Sequence, residues 1–362
     1  MLTSSSLILP FNEIGIGDRL KVGGKGASLG EMSRAGFPVP AGCVVTTSAF
    51  DRFLAAIDEC GEIRRSVERL PNDDLQRVTR TCAEVRARIE GAALPSDLGD
   101  AIVQHYHELC DRGGETPSQG PVAIRSSATN EDSAEASFAG LQDTYLWVRG
   151  REAVIEHVRK CWASLYNVES VIYRRRLKMP EQGLAIGVVI QRMVDSRCSG
   201  VMFTRSPVTG DRSVVVMEAS WGLGAAIVSG EVTPDKYVVG KITGEIVSRT
   251  ISSKVRQQRP NAAGAGVIHE DVPAAQQNIA CLSDEEIRAL LELARRVERH
   301  CGCPQDIEWA MGSDLPPGEK IFLLQSRPET VWAGKERAPV AAPKEKAFDH
   351  VVSLLGGSAR KT

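Results

Sequence analysis

Residues 121–145 read PVAIRSSATNEDSAEASFAGLQDTY. The short apolar run Val122-Ala123-Ile124 reads as a buried strand. It ends on Arg125-Ser126-Ser127-Ala128-Thr129 and enters a loop of small, hydroxylated and acidic residues that closes on Ser137-Phe138-Ala139-Gly140. A guanidinium fork at a strand end matches phosphate oxygens, and small residues let backbone N–H groups come close, so the stretch can bind a polyphosphate. A polar turn is also how many strands simply end. Three other segments ask for the same ligand.

The first lies upstream, in Val22-Gly23-Gly24-Lys25-Gly26-Ala27-Ser28-Leu29-Gly30-Glu31-Met32. Leu29 and Met32 share a helical face, and Gly36 with Pro38 beyond it makes a stop. A glycine-rich turn therefore feeds a helix with Lys25 at its mouth. The G-x-x-x-x-G-K-[ST] spacing is absent, so this is not a Walker A loop. Lys25 reads equally as a phosphate ligand or a solvated lysine. The second segment, Glu218-Ala219-Ser220-Trp221-Gly222-Leu223-Gly224, sets an acid and a small turn at a strand end, which a tight hairpin or bulge would also explain.

The third closes the folded part. In Asp306-Ile307-Glu308-Trp309-Ala310 the acids alternate, so on a strand Asp306 and Glu308 share a face. The strand from Lys320 to Leu324 ends in Gln325-Ser326-Arg327-Pro328, where Gln325 and Arg327 share a face in the same way. Two carboxylates beside an amide and a guanidinium make a hard-oxygen Mg²⁺ site next to a phosphate clamp. A cross-strand Asp306–Arg327 pair is the plainer alternative.

Between these segments the chain reads as a strand over 40–47 and helices over 48–58, 73–90 and 96–110, then one long helical pattern over 151–178. Its basic tail, Arg174-Arg175-Arg176-Leu177-Lys178, reads as a solvated helix end. After Pro180 strands dominate, over 184–194, 199–204, 213–219 and 236–239, which places a lobe boundary near Gly183. The stretch 252–278 reads as a long loop, and Ser283-Asp284-Glu285-Glu286 as a capping box opening a helix to His300.

At 362 residues, 42% hydrophobic and 25% charged, the chain suits a globular protein of two lobes. With 44 basic against 46 acidic residues, bulk charge draws it to neither nucleic acid nor an anionic membrane. No apolar run approaches a membrane span and the N-terminus lacks a signal-peptide pattern, so no membrane partner and a cytoplasmic location are expected. The 9 cysteines never fall in C-x-x-C spacing, which suits reduced thiols. Cys301-Gly302-Cys303 beside His300 has no second pair to complete a tetrahedral metal site.

In this order the segments resemble the nucleotide-binding part of phosphoenolpyruvate synthase, pyruvate phosphate dikinase and rifampicin phosphotransferase. The resemblance runs from about Phe11 to Val331 and includes Cys161-Trp162-Ala163-Ser164-Leu165-Tyr166, Gln191-Arg192-Met193-Val194 and Ser199-Gly200-Val201-Met202-Phe203-Thr204. It implies an α+β ATP-grasp fold in which two lobes clamp ATP. The expected lobes are residues 1–182, carrying the phosphate-binding lysine, arginine and Gly-rich loop, and 183–333, carrying the adenine hinge and metal site. Residues 334–362 read as linker and tail.

By the same resemblance Lys25 and Arg125 hold phosphate oxygens, with Ser137 to Gly140 over the phosphates. Gln191, Met193 and Val194 frame adenine. Asp306 and Glu308 lie by the metal and ribose, and Gln325 and Arg327 at the metal and the transferred phosphoryl group. Glu308 and Gln325 are the expected Mg²⁺ ligands, and Lys25, Arg125 and Arg327 the catalytic cations. Such enzymes pass the β-phosphoryl of ATP to a histidine in a Thr-Ser-His context, and none of the 6 histidines here has that context. The histidine and the small-molecule acceptor site are thus expected on a partner subunit or domain. The ATP-binding subunit of phenylphosphate synthase, whose acceptor is phenol, is similar in organisation. An expressed fragment of a longer synthase and a non-catalytic ATP sensor are the alternatives, with Met1 and the irregular tail favouring a natural short chain.

Overall fold

Strand alternation divides the molecule into two sheets whose inner faces meet. The computed structural model describes residues 7–71, 74–111, 119–129, 143–261, 264–313 and 321–333. Met1–Glu329 forms one unit; in the second, Thr330–Thr362, residues 331–333 form a turn.

The first sheet has five antiparallel strands, β1 (Ile8–Pro10), β2 (Gly42–Val45), β3 (Val122–Ala128), β4 (Thr144–Val148) and β5 (Ile186–Arg192), in the order β1-β2-β5-β3-β4. Successive side chains face opposite ways. Cys43, Val45, Ile124, Val188 and Ile190 enter the larger core with helices α2 (Thr47–Ile57), α3 (Glu62–Glu68), α4 (Leu75–Gly91), α5 (Ser96–Asp111), α6 (Arg151–Ala163) and α7 (Val168–Arg176). Val44 and Val189 turn the other way, onto helix α1 (Arg19–Arg34) through Val22, Ala27 and Leu29. Ala123, Arg125, Ser127 and Gln191 share that second face.

The second sheet has six antiparallel strands, β6 (Ser196–Phe203), β7 (Val214–Trp221), β8 (Asp235–Gly240), β9 (Ile246–Thr250), β12 (Gln305–Gly312) and β13 (Ile321–Pro328), ordered β13-β12-β6-β7-β8-β9. One face packs Met202, Met217, Ile307, Trp309 and Leu323 against the amphipathic helix α10 (Asp284–Cys301). The capping box at its start is present: Ser283 Oγ accepts from the Glu286 N–H at 3.2 Å, and Glu286 returns the bond to the Ser283 N–H at 2.9 Å. Two short helices, α8 (Ala225–Val228) and α9 (Ala274–Gln277), and a hairpin of β10 (Arg256–Pro260) and β11 (Val267–Asp271) complete the chain. No described helix is long and apolar enough to cross a membrane.

Helix α1 ties the sheets together. Its Val22 and Leu29 belong to the first-sheet core, its Met32 to the second, and Ser28 Oγ donates to the Ser326 carbonyl at 2.6 Å.

Four sequence expectations are corrected. The segment 186–192 is the centre of the first sheet, so the change of sheet falls after Arg192 rather than at Gly183: strand composition does not say which sheet a strand joins. The stretch 252–278 is not one loop, because its polar strands β10 and β11 pair with each other. The long helix over 151–178 breaks at a 3-10 turn, Ser164–Tyr166. Finally, Arg174 is no solvated helix end. It is 1% exposed and forked onto Glu181, 3% exposed, while its Nη1 donates to the Leu165 carbonyl at 2.6 Å.

This ion pair fixes the chain between α7 and β5, and removing one partner strands a buried charge. Glu181→Ala is expected to lower unfolding stability by about 3 kcal/mol in urea titration. A loss below about 1 kcal/mol would show that Arg174 reaches solvent once released.

Candidate functional site

The inner faces of the two sheets enclose a cavity of about 390 Å³. Ala123 and Gln191 from the first sheet, Leu146 from β4, and Ala310 and Leu324 from the second line it, with Met193 and Val194 on the link between β5 and β6. Met193 is held by the backbone, its N–H donating to the Pro121 carbonyl at 3.0 Å. A mainly apolar slot of this size, with some polar side chains in its lining, suits a flat heterocycle.

Arg125 and Glu308 also line the slot, one from each sheet. Arg125 crosses from the first sheet to the second: Nη1 donates to the Leu324 carbonyl at 3.1 Å, and Nη2 to Glu308 Oε2 at 3.1 Å and Gln325 Oε1 at 2.5 Å. Its side chain is only 11% exposed. Glu308 and Gln325 are direct cross-strand partners, and Asp306 opposes Arg327 one step along the same face. Between Glu308 and Trp309 the register slips, leaving Leu324 as the extra residue of a bulge. The bulge lets Leu324 offer both its side chain to the cavity and its carbonyl to Arg125.

Arg327 Nε lies 3.4 Å from Asp306 Oδ2, so the plainer cross-strand pairing exists alongside the shared faces. Beyond it opens a second cavity, about 280 Å³, lined by Arg327, Arg19, Gly24, Ser28 and His300 among others. The ladder thus runs from the apolar cavity, past Arg125, Glu308 and Gln325, to the second cavity at Arg327. From Ala310 to Asp306 it covers about 13 Å of strand.

The oxygens of Glu308 and Gln325 converge on one nitrogen of a cation, so the point between them favours positive charge. A carboxylate and an amide oxygen are the hard donors Mg²⁺ takes, with water and phosphate completing its shell. No group of three or more His, Cys, Asp or Glu placed to hold a metal occurs among the described residues. The donor pair therefore fits an ion that arrives with its own phosphate ligands.

The hydroxyls after Arg125 are engaged away from this ladder. Ser126 Oγ donates to the Asp143 carbonyl at 3.1 Å, Ser127 Oγ to the Val22 carbonyl at 2.8 Å, and Thr129 Oγ1 to the Ala185 carbonyl at 3.4 Å. They hold neighbouring chain in place. Lys25 is half-buried and lines neither cavity. It lies on the side of Cys161, whose thiol is pushed well up by burial, further up by Asp143, and down by Lys25. Ser137 and Gly140 lie outside the described residues. In the second segment Gly222, at φ +73°, is needed because a Cβ there would come 2.2 Å from the Gln258 carbonyl oxygen of β10.

Sequence reasoning missed Ala123, Leu146 and Leu324. Alternation on β3 gives Ala123 the face of Arg125, which could have found it. Leu324 depends on the bulge. None of the nine cysteines is in a disulfide; Cys60 is exposed and six are buried.

Comparison with known proteins follows the same lines. Residues 19–347 match the family described as pyruvate phosphate dikinase, AMP/ATP-binding domain. The chain is 42% identical over 321 residues to a probable phosphoenolpyruvate synthase of Methanothermobacter thermautotrophicus, covering 88% of this chain and 45% of that one. It is 40% identical over 379 residues to a phosphoenolpyruvate synthase of Aeropyrum pernix, with 97% and 46% covered. A rifampicin phosphotransferase of a Streptomyces species is 40% identical over 328 residues, with 90% and 36% covered. The chain spans less than half the length of these relatives.

Replacing Arg125 by Ala removes a fork whose bonds to a charged ligand contribute about 1.5–3 kcal/mol. The variant is expected to bind ATP about 10- to 100-fold more weakly in calorimetry. Unchanged affinity would mean that Arg125 serves only to join the sheets.

Proposed function

The chain belongs to the pyruvate phosphate dikinase AMP/ATP-binding domain family, and from that premise we propose that it is the ATP-binding part of a phosphoenolpyruvate-synthase-like phosphotransferase. In this reading the sheets and their helices are the two lobes of an ATP-grasp fold. The observation that carries it is the order along the β12–β13 ladder: apolar slot, then Arg125 with Glu308 and Gln325, then Asp306 and Arg327. A nucleoside triphosphate presents its groups in that order, from base to terminal phosphate.

Adenine occupies the slot beside Met193, Val194 and Gln191. Glu308 lies by the ribose and the metal, and Asp306, one step further along beside Arg327, lies on the metal and phosphate side. Glu308 and Gln325 would hold Mg²⁺, which when bound neutralises phosphate charge. Once ATP is seated, Arg125 turns its fork from those two oxygens to phosphate oxygens, and Arg327 does so from Asp306. Lys25 would meet the phosphates from the first lobe. Phosphoryl transfer needs positioning and charge stabilisation more than covalent chemistry from the protein, and this set supplies both.

ATP and one water give AMP and inorganic phosphate: the water takes the γ-phosphoryl, and the β-phosphoryl passes to a histidine nitrogen. The 6 histidines of this sequence lack the Thr-Ser-His context, so the receiving histidine is placed on another domain or polypeptide. From there the phosphoryl group goes to a small acceptor such as pyruvate or a phenol. The names of the relatives, phosphoenolpyruvate synthase and rifampicin phosphotransferase, support transfer to small molecules.

ATP labelled at the β-phosphate, with Mg²⁺ and a histidine-bearing partner, is expected to leave acid-labile label on the partner and release AMP. Arg327→Ala is expected to reduce AMP formation by about 100-fold or more, the loss typical of a group that stabilises transition-state charge. AMP formed at an undiminished rate would remove Arg327 from the mechanism. Release of ADP instead would indicate acyl-phosphate ligase chemistry, and ATP bound without turnover a nucleotide sensor.

A further inference from the structure

Helix α1 is interrupted at Gly23, with φ 75° and ψ 176°. The helix restarts there, so Gly23 sits where an N-cap side chain would normally take the N–H three residues on. Glycine has no such side chain. Ser127 supplies the missing group from β3: its Oγ accepts from the Gly26 N–H at 3.0 Å and donates to the Val22 carbonyl at 2.8 Å. One hydroxyl closes both broken ends of the helix.

The fit is tight. Ser127 is fully buried, and a Cβ on Gly23 would lie 2.0 Å from the Ser127 carbonyl oxygen and 2.3 Å from its Oγ. Ser127 is also two residues from Arg125 on one strand, so the two share a face. Just past the kink come Gly24, which lines the Arg327 chamber, and Lys25. The hydroxyl therefore fixes the glycine turn to the strand that carries Arg125.

We propose that Ser127 is a positioning residue for the triphosphate: it caps the restarted helix from another strand and sets the Gly24–Lys25 turn at a fixed distance from Arg125. This rests on the reading above, in which that turn meets phosphate oxygens. It assigns Ser127 no contact with the nucleotide. Neither Ser127 nor the turn lines the apolar slot, so binding of the base does not depend on it.

The test compares ATP with adenosine by calorimetry on wild type, Ser127→Ala and Ser127→Thr. Ser127→Ala leaves a buried N–H and a buried carbonyl without a partner, and is expected to weaken ATP binding about tenfold. Adenosine affinity should stay within about twofold, because the slot keeps its lining. Ser127→Thr, which restores the hydroxyl, should recover most of the ATP affinity. If Ser127→Ala does not fold, Ser127→Cys retains the volume with much weaker hydrogen bonding and should show the same ATP-selective loss.

Equal losses for ATP and adenosine would overturn the proposal, since they would mark Ser127 as a general support of the fold. No loss for either would overturn it too. Wild-type protein that binds adenosine no more weakly than ATP would instead overturn the phosphate reading itself, and the positioning role with it.

Discussion

A single guanidinium joins the two sheets where they face each other. Arg125 belongs to the first sheet, and its partners Glu308, Gln325 and the Leu324 carbonyl belong to the second. A charge this buried requires opposite charge and aligned acceptors, or its desolvation would count against the fold. The acceptors stand where they do because Glu308 and Gln325 face each other across a ladder that slips one residue later. The same arrangement leaves two oxygens aimed at a cation beside an apolar slot. What holds the sheets at this spacing is also what a phosphate and its metal would engage.

Other contacts keep that spacing. Helix α1 bonds to β13 through Ser28 and carries side chains into the cores of both sheets. The β10–β11 hairpin crosses from the other side, where the Gly266 N–H donates to the Trp147 carbonyl at 3.0 Å. Trp147 holds a φ of 58°, rare for a bulky residue, next to the cavity-lining Leu146. Chain from both sheets thus meets around the slot.

Much of the site was legible because strands have a period of two. The shared faces of Asp306 with Glu308 and of Gln325 with Arg327 follow from spacing alone, and so does the face of Arg125. The partners of hydroxyls do not follow. Ser126, Ser127 and Thr129 belong to a stretch that reads as polyphosphate-binding, yet each hydroxyl is taken by a carbonyl elsewhere in the chain. The β10–β11 hairpin was hidden because Arg256-Gln257-Gln258-Arg259 and His269-Glu270-Asp271 carry no apolar alternation, their pairing being set by backbone bonds. Gly183 marked a change of texture, but β5 buries both faces at the centre of the first sheet. Burial of Arg174 was invisible without Glu181 folded back onto it.

In the proposed arrangement ATP lies along the β12–β13 ladder with its metal between Glu308 and Gln325. The most direct measurement is a crystal structure with Mn²⁺ and a non-hydrolysable ATP analogue, the ion located by its anomalous signal. The ion is expected on Glu308 Oε2 and Gln325 Oε1, the base beside Met193 and Val194, and Arg125 moved onto phosphate. A base outside the apolar slot, or an ion held by other residues while Arg125 stays on Glu308, would contradict it.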